Sequence, residues 1–145
     1  EDNGTLVAYS SIYGNTAKVA ETIANILKEN GEKVVLTDLV RGDMAEAVED
    51  AFRYDKMIVA SSSYNAGIFP PMEEFLNHLK GRNYQNRRIG IIENGSWAPS
   101  AGKGMKSILE SMKDISIVEP MITIKSTMKQ GDVDKLKQLA KEILV

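Results

Sequence analysis

No cysteine occurs in the 145 residues, and His78 is the lone histidine. Disulfides, thiolate zinc sites, iron–sulfur clusters, cysteine nucleophiles and multi-histidine metal centres are thereby excluded within this chain. Neither sign of charge dominates: 18 basic side chains stand against 20 acidic ones, for a net charge of −2. That balance offers no footing to the phosphates of a nucleic acid or to an anionic membrane. Long apolar runs are missing too, and none approaches the roughly 20 residues that cross a bilayer. No nucleic-acid or membrane partner is therefore expected, and a cytoplasmic location is. The chain opens Glu1-Asp2-Asn3-Gly4 without an initiator methionine. Residues 1–4 are expected to be a linker remnant or disordered start, ahead of one domain over residues 5–145.

What is present suits such a domain. A chain of this length buries roughly 68–70% of its unfolded surface, enough for a core without staples. Nearly continuous apolar runs at 6–9, 34–36, 57–60, 89–92 and 115–124 predict strands covered on both faces. Between them apolar residues recur at helical spacing. Val19, Ile23, Ile26 and Leu27 form one stripe, and Phe75, Leu76 and Leu79 a second behind Pro70-Pro71. Met105, Ile108, Leu109 and Met112 form a third, and Val133, Leu136, Leu139, Ala140 and Ile143 a last one with Asp132 as its N-cap. A further helix is predicted over 43–52. Strands alternating with helices predict an α/β three-layer sandwich around a five-stranded parallel sheet. Arg82, Arg87 and Arg88 precede the fourth strand and read as a solvated face, as do Glu46, Glu49, Asp50 and Asp55. His78 reads as an exposed surface residue.

Three loops at the carboxyl ends of the strands have unusual composition, and that end of an open α/β sheet is where ligands bind. After strand one comes Ser10-Ser11-Ile12-Tyr13-Gly14-Asn15-Thr16. A hydroxyl-rich loop opening a helix offers an anion free N–H groups and the positive pole of the helix dipole. The loop has no Lys or Arg, which separates it from the phosphate loop of nucleotide hydrolases. After strand three comes Ser61-Ser62-Ser63-Tyr64-Asn65-Ala66-Gly67-Ile68-Phe69-Pro70, and after strand four Glu93-Asn94-Gly95-Ser96-Trp97-Ala98-Pro99-Ser100. Tyr64 and Trp97 are aromatics among small polar residues, exposed unless something planar covers them by offset stacking. A phosphate cradle with two aromatic plates suits a phosphorylated planar cofactor, and FMN fits best.

These three loops resemble those of the flavodoxin-like domain of the A-type flavoproteins, or flavodiiron proteins, and the resemblance runs over residues 6–144. The segment Tyr64-Asn65-Ala66-Gly67-Ile68-Phe69-Pro70 is its most specific part. The chain departs from the pattern at Ala98-Pro99-Ser100, where many members are glycine-rich. The resemblance implies a flavodoxin-like sheet of order 2-1-3-4-5. It also implies a role in passing electrons to a di-iron domain, in the parent protein or its homodimer partner, that reduces dioxygen or nitric oxide. A rubredoxin-like or other electron donor is expected. Ser11, Ile12, Tyr13, Gly14, Asn15 and Thr16 would hold the FMN phosphate. Ser62, Ser63, Tyr64, Asn65, Ala66 and Gly67 would follow one edge of the ring, with Gly67 letting a peptide rotate toward flavin N5. Glu93, Asn94, Gly95, Ser96 and Trp97 would enclose the other side, Glu93 either bonding the ring or loop N–H groups or serving the fold alone. No catalytic side chain and no metal ligand are expected.

A free-standing flavodoxin is the alternative reading. A phosphoacceptor receiver domain shares the topology but needs an Asp after strand three and an acidic pair after strand one, where this chain has Ser61-Ser62 and Ser10-Ser11. A quinone or azo reductase of the same superfamily would need a nicotinamide site, and the sequence displays none.

Overall fold

A computed structural model describes residues 2–95 and 100–145. Strand β1 (Asp2–Ser10) leads through the 11–14 loop into α1 (Asn15–Glu29), then β2 (Val34–Asp38) and α2 (Met44–Arg53). Strand β3 (Tyr54–Tyr64) turns back on itself as β4 (Gly67–Ile68) before α3 (Pro70–Gly81). Next come β5 (Arg87–Asn94), α4 (Ala101–Glu110), β6 (Ile115–Ile117), β7 (Ile122–Ile124) and α5 (Gln130–Ile143). The parallel order is β2-β1-β3-β5, with β6 and β7 both against the far side of β5. This is the flavodoxin-like order inferred from sequence, with two differences in strand count. The 115–124 run forms two short strands rather than one, because Pro120 between them lacks the N–H a ladder needs. The antiparallel β4 is an addition of two residues.

The strand period of two explains the layers. Leu6, Ala8, Met57 and Val59 face α2, α3 and α4 in one buried cluster with Phe75, Leu79 and Met105. Val7, Ile58 and Ala60 face α1 and α5 in the other, with Val19, Ile23, Leu136 and Leu139. The helical methionines Met72 and Met105 are thus core residues.

Several local readings change. Asp2, Asn3 and Gly4, expected as a linker remnant or disordered start, extend β1 here, with a register shift between Asp2 and Thr5. Asp132 is not the N-cap of α5 but its third residue, accepting from the Lys129 N–H at 2.9 Å. Arg87 and Arg88 are not a solvated face. Arg87 is 7% exposed, and its guanidinium donates to the carbonyls of Phe52 and Tyr54 (2.8 and 3.0 Å) at the end of α2. Arg88 donates to the carbonyls of Glu142 and Ile143 at the end of α5. Adjacent strand residues point to opposite faces, so this pair satisfies orphan carbonyls at one helix C-terminus in each layer. Arg82 and His78 do face solvent, His78 lying 3.7 Å from Glu74.

Candidate functional site

The carboxyl ends of β1, β3 and β5 bring two of the three expected loops together, and the described part of the third joins them. A cavity of about 200 Å³ opens there, lined by Ile12, Tyr13, Asn15 and Thr16 on one side and Ser62, Ser63, Asn94, Gly95 and Ser126 on the other. Its first wall is the start of α1. Gly14 holds the N-cap position with φ +90°, a left-handed conformation that favours glycine. Ser11 Oγ accepts from the Gly14 N–H at 3.0 Å and so shapes the loop from within.

The helix N-termini differ in who serves them. Asp43 caps α2 through the Ala45 N–H, and Asp132 serves α5. Prolines open α3. Ser63 Oγ accepts from the N–H groups of Ser100 and Ala101 (3.0 and 3.1 Å), and Glu93 Oε1 accepts from Gly102 (2.8 Å), so α4 is satisfied internally. Among the described residues, α1 alone has no cap of its own, no acid in its first turn, no leading proline and no side chain from another element on its first N–H groups. Its N–H groups open on the cavity and its dipole favours an anion there. Thr16 Oγ1 and Ser62 Oγ meet at 2.9 Å across the cavity. One shared hydrogen bond consumes one hydroxyl proton, which leaves the other to donate to a ligand.

The three consecutive serines therefore have three jobs. Ser61 is buried against Ser10 (3.1 Å) and donates to the Ser62 carbonyl, so it stitches β1 to β3. Ser62 faces the cavity. Ser63 braces α4. Glu93 has both carboxylate oxygens occupied, by the Gly102 N–H and by Thr123 Oγ1 at 2.6 Å, so it holds α4 and β7 to β5. Of the two roles open to Glu93, the structure displays the bracing one.

Tyr64 is the exposed plate its sequence context predicted, at 45% exposure, with the Phe69 ring 5.5 Å away at a 55° tilt. Ser96 and Trp97 lie outside the described residues. The Asn65-Ala66-Gly67 segment, expected near flavin N5, is a tight hairpin. Asn65 (φ +47°) and Ala66 (φ +61°) form the two-residue turn between β3 and β4, while Gly67 pairs with Tyr64 in the ladder. Positive φ at both central residues marks the hairpin turn that prefers Asn-Gly, and here alanine holds the second position. Ala66→Gly is expected to stabilise the fold by about 1 kcal/mol, read from the urea midpoint.

Sequence reading missed Ser126. It follows β7 with φ +64°, and its carbonyl accepts from Asn94 Nδ2 at 3.1 Å, which fixes a fourth loop beside the cavity. The signal was present in Ser126-Thr127 after a β-branched strand, the same composition as the other loops.

A family model described as the flavodoxin domain matches residues 6–125. The chain belongs to the flavodoxin family. The solved rubredoxin:oxygen oxidoreductase of Desulfovibrio gigas superposes with a TM-score of 0.90 at 24% identity, over 98% of this chain and 35% of that one. An archaeal flavodoxin superposes with a TM-score of 0.85 at 21% identity, over 97% of this chain and 95% of its own. The anaerobic nitric oxide reductase flavorubredoxin of Aeromonas hydrophila is 28% identical over 120 residues, 81% of this chain and 24% of that protein. Its relatives thus include flavodiiron proteins and flavorubredoxins, and the chain spans about a third or less of the length of the curated relatives it matches. Membership in this family implies a flavin cofactor, typically FMN. The donor set fits one: an uncapped helix N-terminus and neutral hydroxyls for a phosphate, and an exposed aromatic ring for a planar system. Among the described residues no cluster suits a metal ion, and no helix is long and apolar enough to cross a membrane.

Proposed function

We propose that this chain is the FMN-binding electron-transfer domain of a flavodiiron protein, passing electrons to a di-iron site outside these 145 residues that reduces dioxygen or nitric oxide. The observation that carries the cofactor reading is the uncapped start of α1 facing the Thr16–Ser62 hydroxyl pair across one cavity. Bound FMN supplies reversible one- and two-electron chemistry. The chain's residues bind and orient it. Backbone and hydroxyl donors of Ser11, Ile12, Tyr13, Gly14, Asn15 and Thr16 hold the phosphate. Ser62, Tyr64 and the Asn65-Ala66-Gly67 turn would lie along one side of the ring, with Asn94, Gly95, Ser96 and Trp97 on the other. Ser63 and Glu93 act behind them by fixing α4. The names of two relatives, an oxygen oxidoreductase and a nitric oxide reductase, support the choice of terminal acceptors. A rubredoxin-like protein or domain is the proposed electron donor, and the proposed location is cytoplasmic.

The second reading is a free-standing flavodoxin carrier, favoured by the near-equal extent of the archaeal flavodoxin. The length of the parent reading frame separates the two. The cofactor reading is tested by the visible spectrum of the purified protein and by titration of the apo form. A yellow protein whose apo form takes up FMN with quenching of flavin fluorescence is expected. A colourless protein that takes up no FMN would overturn it.

A further inference from the structure

A second cavity, of about 590 Å³, lies across the 12–14 segment from the flavin cradle. Its size falls within the roughly 300–1,000 Å³ typical of small-molecule sites. We propose that it is a subsite for a 5′-adenylate, the purine nucleoside phosphate carried by FAD or by a dinucleotide reductant. The proposal rests on the flavin reading for the neighbouring cradle, because Ile12 and Tyr13 line both cavities.

Three features of the lining select this chemistry. The Tyr13 ring is 90% exposed at the cavity edge, with Phe69 also in the wall. A purine laid on the Tyr13 ring removes apolar surface that no described residue covers. The Arg41 guanidinium and the Glu21 carboxylate both line the cavity, and neither makes a side-chain hydrogen bond or ion pair with a described residue. A guanidinium suits one phosphate, and a carboxylate suits ribose hydroxyls. Asp38 ends β2, the position from which α/β nucleotide-binding folds present a carboxylate to ribose. Its Oδ1 is held by the N–H groups of Val40 and Arg41 at 2.9 and 3.2 Å, so its place is set before a ligand arrives. Burial, then the Asp38 and Glu21 carboxylates, push the neighbouring Tyr9 phenol up, so it stays neutral and adds no third anion. One cation in the lining matches one phosphate. The other phosphate of a dinucleotide flavin falls to the start of α1.

The test is calorimetric titration of AMP into FMN-saturated protein, alongside titration of apo protein with FAD and with FMN, for wild type and Arg41→Ala. Arg41 is exposed and has no side-chain partner among the described residues, so the variant keeps its fold and its FMN affinity. Saturable AMP binding, weakened about ten-fold or more by Arg41→Ala, supports the subsite and points to a separate dinucleotide. FAD binding tighter than FMN, with the margin removed by Arg41→Ala, supports it and assigns the adenylate to the flavin itself. The proposal is overturned when AMP does not bind and FAD binds no tighter than FMN, or when Arg41→Ala changes neither. Should FMN itself not bind, the flavin reading fails separately, and AMP titrated into the bare protein decides the subsite alone.

Discussion

Lys56→Ala is expected to destabilise the fold by about 3–5 kcal/mol, the usual result of removing one partner from a buried ion pair. The Lys56 ammonium sits at the start of β3, opposite the cradle, with its side chain 7% exposed. It lies 3.2 Å from Glu32 Oε2, 2.9 Å from Asp55 Oδ1 and 2.8 Å from Asn3 Oδ1. Without it the Glu32 carboxylate, 8% exposed, keeps among the described residues only the Thr5 hydroxyl at 2.6 Å. Urea denaturation measures the loss, and Lys56→Met combined with Glu32→Gln should recover much of it because no buried charge is then left unpaired. A loss under 1 kcal/mol from Lys56→Ala would show that water already solvates the pair. The exposed Arg53–Asp2 pair, at 3.0 Å, provides the contrast, since such pairs contribute about 0–1 kcal/mol.

The same network sets an acid limit. Burial pushes the Asp55 carboxyl up, but hydrogen bonds from Lys56 and from the Gly4 N–H, with the Lys56 charge, outweigh it and hold the group below its ordinary value. A depressed folded value means that the contribution is complete above the unfolded pKa, about 3.9. It is lost as pH falls through the lower folded value. Removing Lys56 takes away its hydrogen bond and its charge and leaves only the backbone bonds to hold the value down, so acid unfolding of Lys56→Ala should begin at higher pH than in wild type.

Asn15→Asp is expected to weaken FMN binding by about 2–4 kcal/mol, ~30- to 1,000-fold, while leaving riboflavin binding unchanged. Asn15 is the first residue of α1 and exposed. Aspartate there is isosteric and suits the helix dipole, adding about 0.3–1 kcal/mol to stability. It also puts a negative charge where the phosphate is proposed to sit. A unit pair about 4 Å apart interacts by about 1 kcal/mol in water and about 4 kcal/mol at an effective dielectric near 20. Riboflavin has the same ring without the phosphate, so it separates charge repulsion from damage to the site. Equal losses for both ligands would place the phosphate elsewhere.

Helix and strand identities were legible because the two periods leave unmistakable stripes. Val19, Ile23 and Leu27 read as α1, and 57–60 as β3, before any coordinate is considered. The loops of the site were legible for a different reason. Turn and anion chemistry depend on small polar residues and Gly14, which composition displays directly. The division of labour within those loops was not. Ser61, Ser62 and Ser63 are identical letters, yet their neighbours Ser10, Thr16 and the start of α4 come from elsewhere in the chain. The bonds that Glu93 makes to Gly102 and Thr123 likewise join residues that the sequence keeps apart.

Sequence by itself determined the layered α/β architecture and the flavin class of cofactor, and it marked the start of α1 as the candidate anion site, because periodicity, helix polarity and loop chemistry are local properties. Tertiary structure alone decided which hydroxyls are free, that Arg87 and Arg88 close helix ends, and that a second cavity shares the 12–14 loop. Each of these depends on which distant groups are brought within hydrogen-bond reach, and residue order does not state that until the chain is folded.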